Sequence, residues 1–207
     1  MTANQSQVFS EALDYYLGDG AEYIPKIYKL CKANTKEADD LITRYFLEGA
    51  RLRATLGLFR DFRPAIPTTT KVDIADGSST TTVPAKGRVL VDIKAASQDA
   101  SAFPDPTSVR LDRPLESYLT YGYGPHQCVG MDASLTAMTA MFKTVFGLKG
   151  FRRVVGSAPG GAWYRGGESQ GELKKVPGPY GSTMYMTPDQ TSFFPFPTTM
   201  KVQWDAE

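Results

Sequence analysis

His126, the only histidine in the chain, and Cys128 sit two residues apart in the stretch YLTYGYGPHQCVGMDASL. Gly122, Gly124 and Gly130 surround them, and an apolar, helix-like run follows. A free cysteine is most often a small buried hydrophobe. At the start of a helix, however, unsatisfied N–H groups and the positive end of the dipole stabilise a thiolate. The glycines permit tight backbone turns and a close approach to a flat ligand. Zinc usually takes four Cys/His ligands, and Cys31, His126 and Cys128 are all this chain has. An iron–sulfur cluster normally needs four cysteines. A Cys/His protease dyad needs a histidine arriving from elsewhere in the chain, not from two residues upstream. One thiolate without partners is enough to be the axial ligand of a haem.

Such a loop needs elements to hold it. SQVFSEALDYYLGDG carries Val8, Phe9, Leu13, Tyr16 and Leu17 at helical spacing, with Gly18 as a stop. AEYIPKIYKLCKAN predicts a second helix with Ile24, Ile27, Tyr28 and Cys31 on one face, and Pro25 confined to its first turn. Cys31 there reads as a packed core thiol. A third helix opens with Asn34 and Glu37 at capping-box spacing and buries Leu41, Ile42, Tyr45 and Phe46. From about Asp61 through Ser97 the composition turns to Thr, Val, Pro and Gly, which predicts short strands and hairpins with a turn at ADGSS. QDASAFPDPTSVRLDRPLESY has little periodicity and predicts an ordered meander. MDASLTAMTAMFKTVFGL returns to helical spacing with Met131, Leu135, Met138, Phe142 and Val145 on one face. The Gly/Pro-rich remainder ends in strand-like pieces, and the basic cluster GFRRVV reads as solvated surface. This order predicts one α+β unit over residues 1–207.

The 207 residues are 42% hydrophobic, enough for a sizeable core. With 23 basic and 22 acidic side chains and no charged block, nothing points to nucleic acid. Two widely spaced cysteines suit a reducing compartment rather than a disulfide framework. Neither a signal peptide nor an apolar run long enough to span a membrane is evident. These features lead to the expectation of a soluble, cytoplasmic chain.

YGYGPHQCVG resembles the haem-binding loop of the cytochrome P450 superfamily: an aromatic residue, spaced glycines, a basic residue, the ligand cysteine and a glycine. Tyr121 stands where phenylalanine is usual, and His126 where arginine is commoner. EGAR places Glu48 and Arg51 on one helical face, a pair that alone would read as solvated surface charge. Its place ahead of the cysteine loop is similar to the superfamily's Glu-x-x-Arg helix. Arg113 in VRLDRP matches the meander arginine, and Asp99, Phe103, Pro104 and Pro106 follow in the family's order. The resemblance implies a buried charge triad of Glu48, Arg51 and Arg113.

The tail GELKKVPGPYGSTMYMTPDQTSFFPFPTTMKVQWD, with YLGDG and LEGARL, resembles a narrower group, the fungal linoleate diol synthases and psi-factor-producing fatty-acid oxygenases. In that group a peroxidase-like dioxygenase domain makes a fatty-acid hydroperoxide, and a haem-thiolate domain isomerises it to a diol. The implied fold is α+β, mainly α, with small β-sheets: the C-terminal, proximal part of a cytochrome P450 fold with its distal half missing. The chain would begin just after the distal helix. The upstream half and the dioxygenase domain are then its expected partners, and a fatty acid or its hydroperoxide the substrate. The implied cofactor is haem b, iron protoporphyrin IX, with Cys128 as axial iron ligand. Tyr121, Gly122, Gly124 and Gly130 would shape the loop, and His126 and Arg60 would hold propionates. No catalytic residue beyond the ligand is expected within these residues. Two other readings stay open, a reductase-dependent monooxygenase and a non-catalytic truncated remnant.

Overall fold

Apolar spacing and caps explain most of the helices. The computed structural model describes residues 2–53, 57–61, 71–76, 79–154, 175–177, 183–186, 192–194 and 200–206. Helix α1 spans Thr2–Tyr16, α2 Ile24–Ala33 and α3 Lys36–Arg53, with a single 3-10 turn at Ala21–Tyr23 between the first two. Pro25 lies in the first turn of α2, where its missing N–H costs no helical bond. One turn apart, Ile27 and Cys31 are the buried residues of α2. Burial pushes the Cys31 thiol up to about 11, so it stays protonated and apolar, as a core cysteine should.

The expected capping box at Asn34 and Glu37 does not form. Asn34 adopts a left-handed φ of 49° that closes α2, a conformation asparagine tolerates better than most residues. Committed to ending one helix, it cannot cap the next. Thr35 does so instead, its Oγ1 accepting from the Ala38 N–H at 3.2 Å.

Helix α3 is the centre of the molecule and buries Ile42, Tyr45, Phe46 and everything from Leu47 to Arg51. Leu41 is only partly covered. Gly49 has a packing reason: a Cβ there would lie 2.6 Å from the Tyr16 ring and 3.4 Å from Ala12 Cα. Its hydrogen lets α1 cross α3 closely. Helix α5 (Met131–Phe146) packs across both, contributing Met138, Phe142 and Phe146. Tyr16 is the hub of this core. Its ring meets Tyr15, Tyr23, Tyr45, Phe142 and Phe146 edge-on at 5.0–6.3 Å, and its hydroxyl donates to the Tyr45 carbonyl at 2.6 Å. Edge-on aromatic pairs add about 0.5–1.5 kcal/mol each beyond burial.

Strand β1 (Gly57–Asp61) starts earlier than the composition change at Asp61 implied, and pairs antiparallel with β4 (Arg88–Asp92). Strands β2 (Lys71–Asp76) and β3 (Ser79–Pro84) form a hairpin with Asp76 opposite Ser79, so the ADGSS signal falls at its turn. IKAAS, expected within the strand region, is the short helix α4 (Ile93–Ser97). The cause is local: the Asp92 carboxylate accepts from the Ala95 N–H at 2.9 Å and caps it. The meander then runs through 3-10 turns at Leu115–Ser117 and Gly124–His126 into α5. Strand β5 (Arg152–Arg153) pairs with β9 (Val202–Gln203), while β6 (Lys175–Pro177), β7 (Thr183–Met186) and β8 (Phe193–Phe194) form a three-stranded antiparallel sheet around β7. No helix among the described residues is long and apolar enough to cross a membrane.

Candidate functional site

The loop from Tyr118 to Gly130 folds back on itself. The Gly122 N–H donates to the Leu119 carbonyl at 2.9 Å, Gln127 to Gly124 at 3.0 Å, and Cys128 to Tyr121 at 2.8 Å. Two residues permit this path. Gly122 has φ +79° with a virtual Cβ only 2.8 Å from the His126 carbonyl oxygen, and Gly124 has φ +59°. Side chains rarely adopt such angles. Gly130 differs from expectation: at φ −90° it is the N-cap of α5 and needs no left-handed freedom. Cys128 lies two residues ahead of that cap, not in the helix, and its carbonyl accepts from the Met131 N–H at 3.1 Å.

Both Cys128 and His126 are exposed, as are their apolar neighbours Tyr123, at 74%, and Val129. Tyr121 points the other way, packing against the helical core with its hydroxyl 3.3 Å from Ser134 Oγ. Burial raises its phenol above the usual range, so it remains a neutral hydroxyl. No group of three or more His, Cys, Asp or Glu side chains suited to a metal occurs among the described residues. Arg60 lies in β1 opposite Val89; its side chain is outside the described residues.

Behind the loop, Glu48, Arg51 and Arg113 come together in the interior. Arg51 grips Glu48 with a two-pronged bond, Nε to Oε1 at 2.8 Å and Nη2 to Oε2 at 2.9 Å. Its remaining N–H groups reach the carbonyls of Ser97 at 3.0 Å, Pro106 at 2.6 Å and Ser108 at 3.1 Å. Arg113 Nε lies 3.2 Å from Glu48 Oε1; the pair is ionic, without the alignment of a hydrogen bond. Its Nη atoms hold the carbonyls of Pro104 and Asp105 at 2.9 and 3.0 Å. Glu48 also accepts from the Tyr118 hydroxyl and the Arg110 N–H, both at 2.9 Å. The Phe103 ring lies 5.3 and 5.6 Å from the two guanidinium carbons. Burial, and then the charge of Glu48, pushes the Tyr118 phenol well above its usual range. One carboxylate and two guanidiniums thereby bolt the meander to α3, immediately before the cysteine loop begins.

A second buried charge centre escaped the sequence reading. Asp14 is fully buried at the end of α1. Arg153 Nη2 contacts its Oδ1 at 2.5 Å, Arg53 Nε lies 3.1 Å from its Oδ2, and the Tyr185 hydroxyl donates to Oδ2 at 3.2 Å. GFRRVV is therefore not simply solvated surface. Arg153 turns inward to Asp14, and only Arg152 stays at the surface, paired with Asp205 at 2.8 Å. The one sequence signal was an acid in the last turn of a helix, where the dipole disfavours it.

The chain is similar to known proteins in sequence and in fold. The Cytochrome P450 family model matches residues 61–151. Psi-producing oxygenase A of Aspergillus fumigatus is 46% identical over 100% of this chain and 18% of its own length. The bifunctional dioxygenase (DOX)-epoxy alcohol synthase (EAS) of Fusarium oxysporum is 44% identical over 99% of the chain and 15% of its own length, and linoleate diol synthase of Gaeumannomyces graminis 37% over 99% and 19%. The chain thus spans less than a fifth of these relatives. Among solved structures, CYP105D6 matches 99% of this chain and 42% of its own at a TM-score of 0.63 and 17% identity, a likeness of fold. P450BioI matches 98% and 41% at 0.60. From the partial P450 fold and the similarity along its whole length, the chain belongs to the cytochrome P450 family, as part of the P450 domain carried by the fungal fatty-acid oxygenases.

Proposed function

We propose that residues 1–207 form the proximal part of a haem-thiolate domain that isomerises a fatty-acid hydroperoxide to a diol, with the distal part and a peroxidase-like dioxygenase domain supplied by a longer protein. The observation that carries the reading is Cys128: an exposed thiol, on a loop shaped by Gly122 and Gly124, beside exposed apolar side chains. The donor set fits a haem, haem b in this reading, because one thiolate suits a single axial position and no group of three or more His, Cys, Asp or Glu side chains suited to a metal occurs among the described residues. When bound, haem supplies the iron chemistry that cleaves the O–O bond of a hydroperoxide, which a thiolate favours by donating electron density.

The chain's own residues do the holding. Cys128 would hold the iron by its thiolate. His126 is exposed on the same loop and would hold a propionate by its ring N–H. Arg60 is a second propionate donor by family resemblance. Tyr121, Gly122, Gly124 and Gly130 set the path of the loop. Glu48, Arg51 and Arg113 touch no substrate in this reading; they keep the meander in place.

One relative is named for an epoxy alcohol, not a diol. An epoxy alcohol is therefore the second product class to look for. The test is to give the full-length, haem-loaded protein a fatty-acid hydroperoxide without NADPH or reductase and to identify the products. Diol formation, lost in Cys128→Ser together with the thiolate-type carbon-monoxide band, is the expected result. Epoxy alcohol would move the assignment to the second class, and strict dependence on a reductase would overturn both.

A further inference from the structure

We infer that Tyr121 is a positioning residue for Cys128, acting through a hydroxyl tether to Ser134 on α5 and Gln5 on α1. The inference rests on reading Cys128 as the iron ligand. From Tyr123 to Val129 every residue of the loop is exposed, so the loop has few ways to hold its own place. Tyr118 anchors the start of the loop on Glu48, and Tyr121, packed against the core, is the anchor nearer the cysteine. The Tyr121 hydroxyl lies 3.3 Å from Ser134 Oγ, which is buried and also accepts from Gln5 Nε2 at 3.2 Å. The Tyr121 carbonyl, at the other end of the same residue, accepts from the Cys128 N–H at 2.8 Å.

Tyr121 therefore links α5 directly, and α1 through Ser134, to the backbone of the ligand. The other side-chain link from this loop to α5, Gln127 Nε2 to Met131 Sδ at 3.2 Å, is exposed and ends on a soft acceptor. If Tyr121 shifts, its carbonyl shifts, and the Cys128 N–H that it holds moves with it. A phenylalanine would keep the ring packed on the core and lose only the tether. Ser134 would then retain Gln5 as a partner, so removing the tyrosine hydroxyl strands no buried group. The tether holds the loop in register, and the sulfur inherits that register.

The test uses the full-length, haem-loaded protein and follows the decay of the thiolate-type band in the reduced carbon-monoxide spectrum, together with the haem midpoint potential. Tyr121→Phe should lose the band roughly five-fold faster than wild type, the size expected for one net hydrogen bond. Ser134→Ala should reproduce this, the double variant should be no faster than either, and Ser134→Thr, which keeps a hydroxyl, should restore the wild-type rate. The midpoint potential should move in the same direction in Tyr121→Phe and Ser134→Ala. Wild-type decay and potential in both single variants would overturn the tether, as would purely additive effects in the double. Should Tyr121→Phe fail to load haem, Ser134→Ala alone decides between these results. A thiolate-type band that survives Cys128→Ser is a different failure: it overturns the assignment of the ligand, and the tether with it.

Discussion

Arg51→Ala should cost the protein a large share of its stability. All five N–H donors of Arg51 are used, two on Glu48 and three on the carbonyls of Ser97, Pro106 and Ser108. Its side chain is 1% exposed and that of Glu48 is 0%, so water cannot replace what is lost. Removing one partner of a buried pair costs about 3–5 kcal/mol, a large share of the roughly 5–15 kcal/mol that stabilises a typical domain. Arg51→Lys should fail nearly as badly, because an ammonium cannot reproduce the planar fork that spans both carboxylate oxygens. His126→Ala, on an exposed residue, should fold as wild type does. Soluble yield and urea unfolding of the three variants in the full-length protein check this. A His126 variant less stable than the Arg51 variant would remove the distinction between scaffold and cofactor contact.

Asp14→Ala should damage a different part of the molecule by a comparable amount. Its carboxylate holds Arg53 from the end of α3, Arg153 from β5 and the Tyr185 hydroxyl from β7. The two arginine side chains are only 18% and 19% exposed. Losing the acid leaves Arg153 with a poorly hydrated charge, while Arg53 keeps Asp19 at 2.7 Å, so the cost falls at the low end, about 3 kcal/mol. Relief of the unfavourable dipole interaction in α1 returns at most about 1 kcal/mol. The loss should be regional. Hydrogen exchange should show β5, β7 and β9 opening first, while α3 and α5 keep their protection. In Arg51→Ala the order should reverse, with the meander and α4 opening before the C-terminal strands. A uniform loss of protection in both variants would mean that the two charge centres do not act on separate regions.

What could be read along the chain was local. Gly122 and Gly124 sit at fixed small offsets from Cys128, and the turns they permit close within the same dozen residues, so their spacing alone carries the loop. The apolar stripes of α1, α3 and α5 were legible for the same reason: a helix face is set by neighbours three and four residues away. The family's charge triad could be proposed because its spacing along the chain resembled a known pattern. That Glu48 accepts from the Tyr118 hydroxyl and the Arg110 N–H could not.

The departures have one physical origin. Asn34 and Thr35 are both competent caps, and the choice between them fell to Thr35 because Asn34 was needed in a left-handed conformation to turn the chain out of α2. Gly49 sits in mid-helix because α1 crosses α3 at that point. Arg153 looked like surface charge because Asp14 lies 139 residues away. Sequence by itself determined the long helices, the turns of the cysteine loop and the family resemblance. Only the tertiary structure decided which charges are buried, because a charge is stable inside only where partners from distant segments converge on it, and no local spacing records that convergence.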